Sequence, residues 1–99
     1  MRADEAFSET VVFELLGRGA GDRLCERLQS RWFVGVYECE DLALVAAELR
    51  PEEGDLAVLL RAVKLWAAES ALPALRFHLD GREYVLESGA SIWGAPAAA

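Results

Sequence analysis

The stretch Arg31 to Arg50, RWFVGVYECEDLALVAAELR, limits the fold of this chain more than any other. β-Branched and aromatic residues fill Trp32 to Cys39, Glu40-Asp41 offers a turn, and Leu42 to Leu49 continues apolar, so the stretch predicts a β-hairpin. A hairpin wetted on one side alternates apolar with polar residues. Here Trp32, Val34 and Val36 point one way, Phe33 and Tyr37 point the other, and both sets are apolar. Such a pair calls for cover on both faces, one supplied by the chain's own helices and the other by something else. The alternative for the second half is a short helix over residues 42 to 49 capped by Asp41, since Ala, Leu and Glu favour helix.

The 99 residues suit one domain with its own core, needing neither metal nor disulfide. We divide it into a solvated lead-in over residues 1–9, a core over 10–87 and a low-complexity tail over 88–99, in which Ile92 and Trp93 are the large apolar groups. Hydrophobic residues make up 54% of the chain, enough to share some apolar surface with a partner. The net charge of -7 argues against nucleic acid or an anionic lipid surface as partner. Cys25 and Cys39 lack a CxxC spacing and read as two small buried thiols in a reducing compartment, although the spacing alone leaves a disulfide open. The acidic first residues resemble no signal peptide, and no run approaches the roughly 20 apolar residues of a membrane span. The expectation is a soluble cytoplasmic protein.

Taken in order, Val11 to Leu16 predicts a first strand. Gly17-Arg18-Gly19-Ala20-Gly21 predicts a loop, with Asp22 capping a short helix from Arg23 to about Gln29 whose Leu24 and Leu28 face the core. After the hairpin, Pro51 to Asp55 repeats that entry chemistry. Leu56, Leu59, Leu60, Val63 and Trp66 or Ala67 then mark an amphipathic helix ended by Leu72-Pro73. Leu75, Phe77 and Leu79 alternate with Arg76, His78 and Asp80, Asp80-Gly81 is a two-residue hairpin turn, and Arg82 to Leu86 returns. That register sets Phe77 opposite Tyr84 and His78 opposite Glu83. The runs Val11–Leu15 and Val45–Leu49 each lead through a loop to Gly-Asp and a helix, an internal similarity that favours strand over helix for residues 42 to 49.

The resulting order, β-α-β-β-α-β plus one additional C-terminal strand, resembles the ferredoxin-like two-layer α+β sandwich. The resemblance implies an antiparallel sheet with two helices on one face, strand order 4-1-3-2 and the fifth strand outside the fourth. It leaves the other face bare, to be met by a second copy or by the C-terminal segment. The order is also similar to that of ACT domains, which bind amino acids between paired copies. That likeness covers about residues 10 to 80, carries no specific motif, and implies a ligand near Gly17 to Asp22.

Candidate chemistry is sparse. The glycine-rich stretch at Arg18, Gly19 and Gly21 follows a strand and opens a helix, as phosphate loops do. Asp22, however, stands where a dinucleotide fingerprint needs Gly or Ala, no Gly-Lys-Ser/Thr follows, and a carboxylate there takes an anion's place. His78 with Glu83 invites an acid/base role, against the plainer reading of a cross-strand polar pair. One His with two distant Cys makes no typical zinc site, and the clusters Glu38, Glu40, Asp41 and Glu52, Glu53, Asp55 lack EF-hand spacing; neither a metal nor a cofactor is expected. Trp32, Trp66 and Trp93 could line a pocket, but Trp32 and Trp66 better fill the core while Trp93 seals an interface.

The leading expectation is a non-enzymatic interaction or regulatory module that forms a homodimer through its sheet, with Trp32, Val34, Val36 and Trp93 as interface candidates. A small-molecule sensor of ACT-like topology comes second. A small dimeric enzyme using His78 and Glu83 comes third.

Overall fold

The computed structural model describes residues 9–89. Strand β1 (Thr10–Leu16) leads into helix α1 (Arg18–Leu28), followed by the hairpin β2 (Val34–Cys39) and β3 (Leu42–Glu48). Helix α2 (Asp55–Glu69) and the hairpin β4 (Ala74–Leu79) and β5 (Arg82–Glu87) complete the order. The strands form one antiparallel sheet, ordered β2-β3-β1-β4-β5. The fold is α+β, and residues 42 to 48 are strand.

Strand alternation decides which side chains meet the helices. Val11, Phe13 and Leu15 on β1, Ala43, Val45 and Ala47 on β3, and Leu75 and Phe77 on β4 are buried. They form one cluster with Leu24 and Leu28 of α1 and Leu59, Val63 and Trp66 of α2. Phe77 stacks on Tyr84 across the β4–β5 pair with ring centroids 5.2 Å apart, as the hairpin register predicted. Asp80 and Gly81 both take positive φ, 56° and 76°, the backbone that a two-residue hairpin turn requires.

Helix α1 departs from expectation. The glycine-rich stretch is no loop: the helix begins at Arg18, directly after Gly17, whose φ of 90° turns the chain out of β1. Asp22 caps nothing. It sits inside the helix, exposed, where its carboxylate accepts from Arg18 Nε at 3.0 Å, one turn back. Gly21, Leu24 and Leu28 are the buried residues of α1, so Gly21 belongs to the face turned to the sheet. A Cβ on Gly21 would lie 2.7 Å from Ala43 Cβ and 3.3 Å from Val36 Cγ1, so the glycine lets α1 rest directly on β3 and β2.

The two helices are joined at the surface by Arg27, which donates to both carboxylate oxygens of Glu69 at 2.8 and 3.1 Å. That hydrogen bonding holds the Glu69 carboxyl below its ordinary range and the Arg27 guanidinium above its own. The pair is exposed and competes with water and salt. Glu69→Gln is therefore expected to leave the thermal midpoint in physiological salt almost unchanged; a large fall would mean the helices depend on this link.

Candidate interaction face

The side of the sheet away from the helices carries Phe33, Gly35 and Tyr37 from the β2 side, Leu42, Leu44 and Ala46 of β3, and Val12, Glu14 and Leu16 of β1. It continues with Arg76 and His78 on β4 and Glu83 and Val85 on β5. The ladders set these residues in two rows across the sheet, Gly35-Ala46-Val12-His78-Glu83 and Tyr37-Leu44-Glu14-Arg76-Val85. Phe33 is 81% exposed, Tyr37 60% and Leu16 80%, while Val12, Leu42, Leu44 and Ala46 are half-buried. The face thus grades from apolar at β2 to charged at β4 and β5. Beside β2 lies an open groove of ≈ 480 Å³ lined by Phe33, Gly35, Tyr37, Ala46 and Glu48 among others. Gly35 shapes it, since a Cβ there would meet the Tyr37 hydroxyl at 3.1 Å.

The charged half is a connected cluster. His78 Nε2 hydrogen-bonds to Glu14 Oε2, and the Glu14 side chain is only 17% exposed. Arg76 Nε reaches Glu83 Oε2 at 2.7 Å, and its Nη1 lies 3.8 Å from Glu14 Oε1. His78 does stand opposite Glu83 in the ladder, but its partner is Glu14, diagonally placed on β1, and Glu83 is held by Arg76. Diagonal neighbours lie within reach of long side chains, and it is the register of β1 against β4, with Val12 opposite His78 and Glu14 opposite Arg76, that brings Glu14 there.

The other sequence candidates fall elsewhere. Trp32, Val34 and Val36 do oppose Phe33 and Tyr37, but they point toward the helices: Trp32 is buried in the core, and Val34 and Val36 pack against it. The opposite side carries Phe33 and Tyr37, both exposed, with half-buried Gly35 between them. Trp93, and with it most of the C-terminal tail, lies outside the described residues. Arg18, Gly19 and Gly21 belong to α1. Gly21 is covered by Ala43 and Val36, and Arg18 is drawn to Asp22 and Glu38, whose hydrogen bonds and charges raise its pKa. Cys25 is half-buried and Cys39 exposed, both free, so they are not the buried pair that composition suggested. Among the described residues no cluster of three His, Cys, Asp or Glu is placed to share a metal ion, and no helix is long and apolar enough to cross a membrane.

Asp55 was read as a helix-entry acid, yet it is the most enclosed charge described, 3% exposed. The helix N-cap is Gly54, at φ 82°, and Asp55 is the first residue of α2. Its Oδ2 accepts from the Trp32 indole N–H at 2.8 Å and the Arg50 amide at 2.9 Å, and its Oδ1 from Arg31 at 3.1 Å. Burial pushes the carboxyl's pKa up. The Arg50 amide, the Trp32 indole and Arg31, with its charge, together outweigh burial and hold it below 3.8. This carboxylate joins the α1–β2 connection, the β3–α2 connection and α2. A buried Trp N–H needs an acceptor, the one signal in the sequence that could have pointed to it.

Face and core together define a class, an α+β domain of two helices on a five-stranded antiparallel sheet. Compared with models of protein families, with curated proteins and with solved structures, the chain finds no match.

Proposed function

We propose that this chain is a non-enzymatic interaction or regulatory module of ferredoxin-like form that pairs with a second copy through the uncovered face of its sheet. The observation that carries the reading is the set of exposed apolar side chains there, Phe33, Tyr37 and Leu16, continuous with half-buried Val12, Leu42, Leu44 and Ala46. Covering a large apolar side chain yields about 1.5–3 kcal/mol, whereas association costs about 4–15 kcal/mol. In a pair of copies three such residues are covered on each side, about 9–18 kcal/mol in all, which is of the size that association requires.

The test is sedimentation velocity with native mass spectrometry on the purified chain. A dimer is expected. Phe33→Glu, at an 81% exposed position that folding does not need, is expected to weaken it at least about 100-fold while leaving the thermal midpoint in place. A wild-type monomer at about 100 μM, far above the roughly micromolar range of weak specific pairs, overturns the reading. A second reading, a small-molecule sensor of ACT-like topology, is favoured by the groove beside β2 rather than by the Gly17 to Asp22 segment. A native spectrum carrying extra mass would select it.

A further inference from the structure

The charged half of the same face bears on how such pairing would be regulated, and we infer that pairing takes up protons through His78, so that the second copy binds more tightly as pH falls toward 6. The inference rests on the association reading and deepens it. Histidine is the side chain whose charge ordinarily changes between pH 5 and 8. His78 is the sole histidine of the chain, and the structure sets it on the face to be covered, hydrogen-bonded to the largely enclosed Glu14.

The charge count of the cluster sets the sign. With His78 neutral, the two carboxylates Glu14 and Glu83 face one guanidinium, Arg76, and the cluster carries one uncompensated negative charge. With His78 protonated the four groups balance. A second copy removes water from the cluster, and the cost of desolvating it is greater for the unbalanced state than for the neutral one. Two such faces brought together also repel when each keeps its extra charge. Among the described residues, strand alternation places Tyr37 and Cys39 of β2, Glu48 at the end of β3 and Glu87 at the end of β5 on this face, and Asp80 stands at the β4–β5 turn two residues beyond His78. None of these carboxylates supplies a positive charge, and all lie toward the ends or edges of the sheet.

The experiment is sedimentation equilibrium from about pH 8 to about pH 6, a range in which ordinary carboxylates stay ionised, with circular dichroism to confirm that each variant is folded. The wild-type dissociation constant is expected to fall about tenfold across that range. His78→Gln, which cannot be protonated, is expected to flatten the dependence. Glu14→Gln is expected to invert it: the cluster is then balanced with His78 neutral and gains an uncompensated positive charge on protonation, so acid weakens the pair. A dimer whose equilibrium is indifferent to pH, or one that responds equally in His78→Gln, overturns the inference while leaving the association reading standing. Absence of a dimer at every pH overturns both.

Discussion

Asp55→Ala is expected to remove about 3–5 kcal/mol of folding stability, the largest loss from any single polar substitution in this chain. The carboxylate accepts from an indole N–H, a backbone N–H and a guanidinium in a site only 3% exposed. Alanine leaves the Trp32 and Arg50 donors without an acceptor, and each stranded donor costs about 1–3 kcal/mol. For a domain whose total stability lies at about 5–15 kcal/mol, the urea midpoint should drop by roughly 2–4 M. Asp55→Asn keeps one carbonyl acceptor but loses the charge that Arg31 meets, and should fall between wild type and alanine. Trp32→Phe removes one donor while Arg50 and Arg31 continue to hold the carboxylate, so it should cost less than Asp55→Ala. Equal midpoints for Asp55→Ala and wild type would show that the three connected segments hold together without this residue.

The acid dependence follows from the same group. Its pKa is lowered in the folded chain, so its stabilisation is complete above the ordinary aspartate value of 3.8 and is lost as pH falls through the lower folded value. Acid unfolding of the wild type should therefore carry a proton-uptake component below about pH 4 that Asp55→Asn lacks.

Local features and, through the resemblance, the order of the strands were legible in this sequence; side-chain partnerships between distant segments were not. The first strand at Val11 to Leu16, the Asp80-Gly81 turn, and the spacing of Leu59, Val63 and Trp66 each depend on neighbours within a few residues, and each appears in the structure as read. The opposition of Trp32, Val34 and Val36 to Phe33 and Tyr37 was equally local. Which set faced the helices was not local, because it depends on where α1 lies. Glu14 as the partner of His78, 64 residues away, required the register of β1 against β4 and not their adjacency alone. Asp55 as the acceptor for Trp32 required the packing of α2 beside the α1–β2 connection. Both hairpin faces carry apolar residues, and among the described residues the helices lie against one of them. Of the interface candidates, Trp32, Val34 and Val36 lie on the side turned to the helices and Phe33 and Tyr37 on the other, while Trp93 lies outside the described residues.

Gly19 and Gly21 separate composition from packing most sharply, because the same substitution at the two positions should act in opposite directions. Both glycines lie inside α1, where glycine costs about 1 kcal/mol relative to alanine. Gly19 is exposed, and a Cβ there would meet nothing nearer than an Arg23 guanidinium nitrogen at 3.5 Å, so Gly19→Ala should stabilise by up to about 1 kcal/mol. Gly21 is buried, and its added Cβ would lie 2.7 Å from Ala43 Cβ, a distance that forces the helix off the sheet. Overpacking of this kind costs about 1–3 kcal/mol, which exceeds the helical gain of alanine, and Gly21→Val, with two further methyl groups and a weaker helix propensity, should cost more. Because the obstacle is the Ala43 methyl, Ala43→Gly should recover part of the loss in Gly21→Ala and leave the gain from Gly19→Ala unchanged. Urea titration of the two single variants and the Gly21→Ala, Ala43→Gly pair decides the matter. If Gly21→Ala is as stabilising as Gly19→Ala, the glycine-rich start of α1 is not there to bring the helix onto β3, and a role for that segment in binding would have to be reopened.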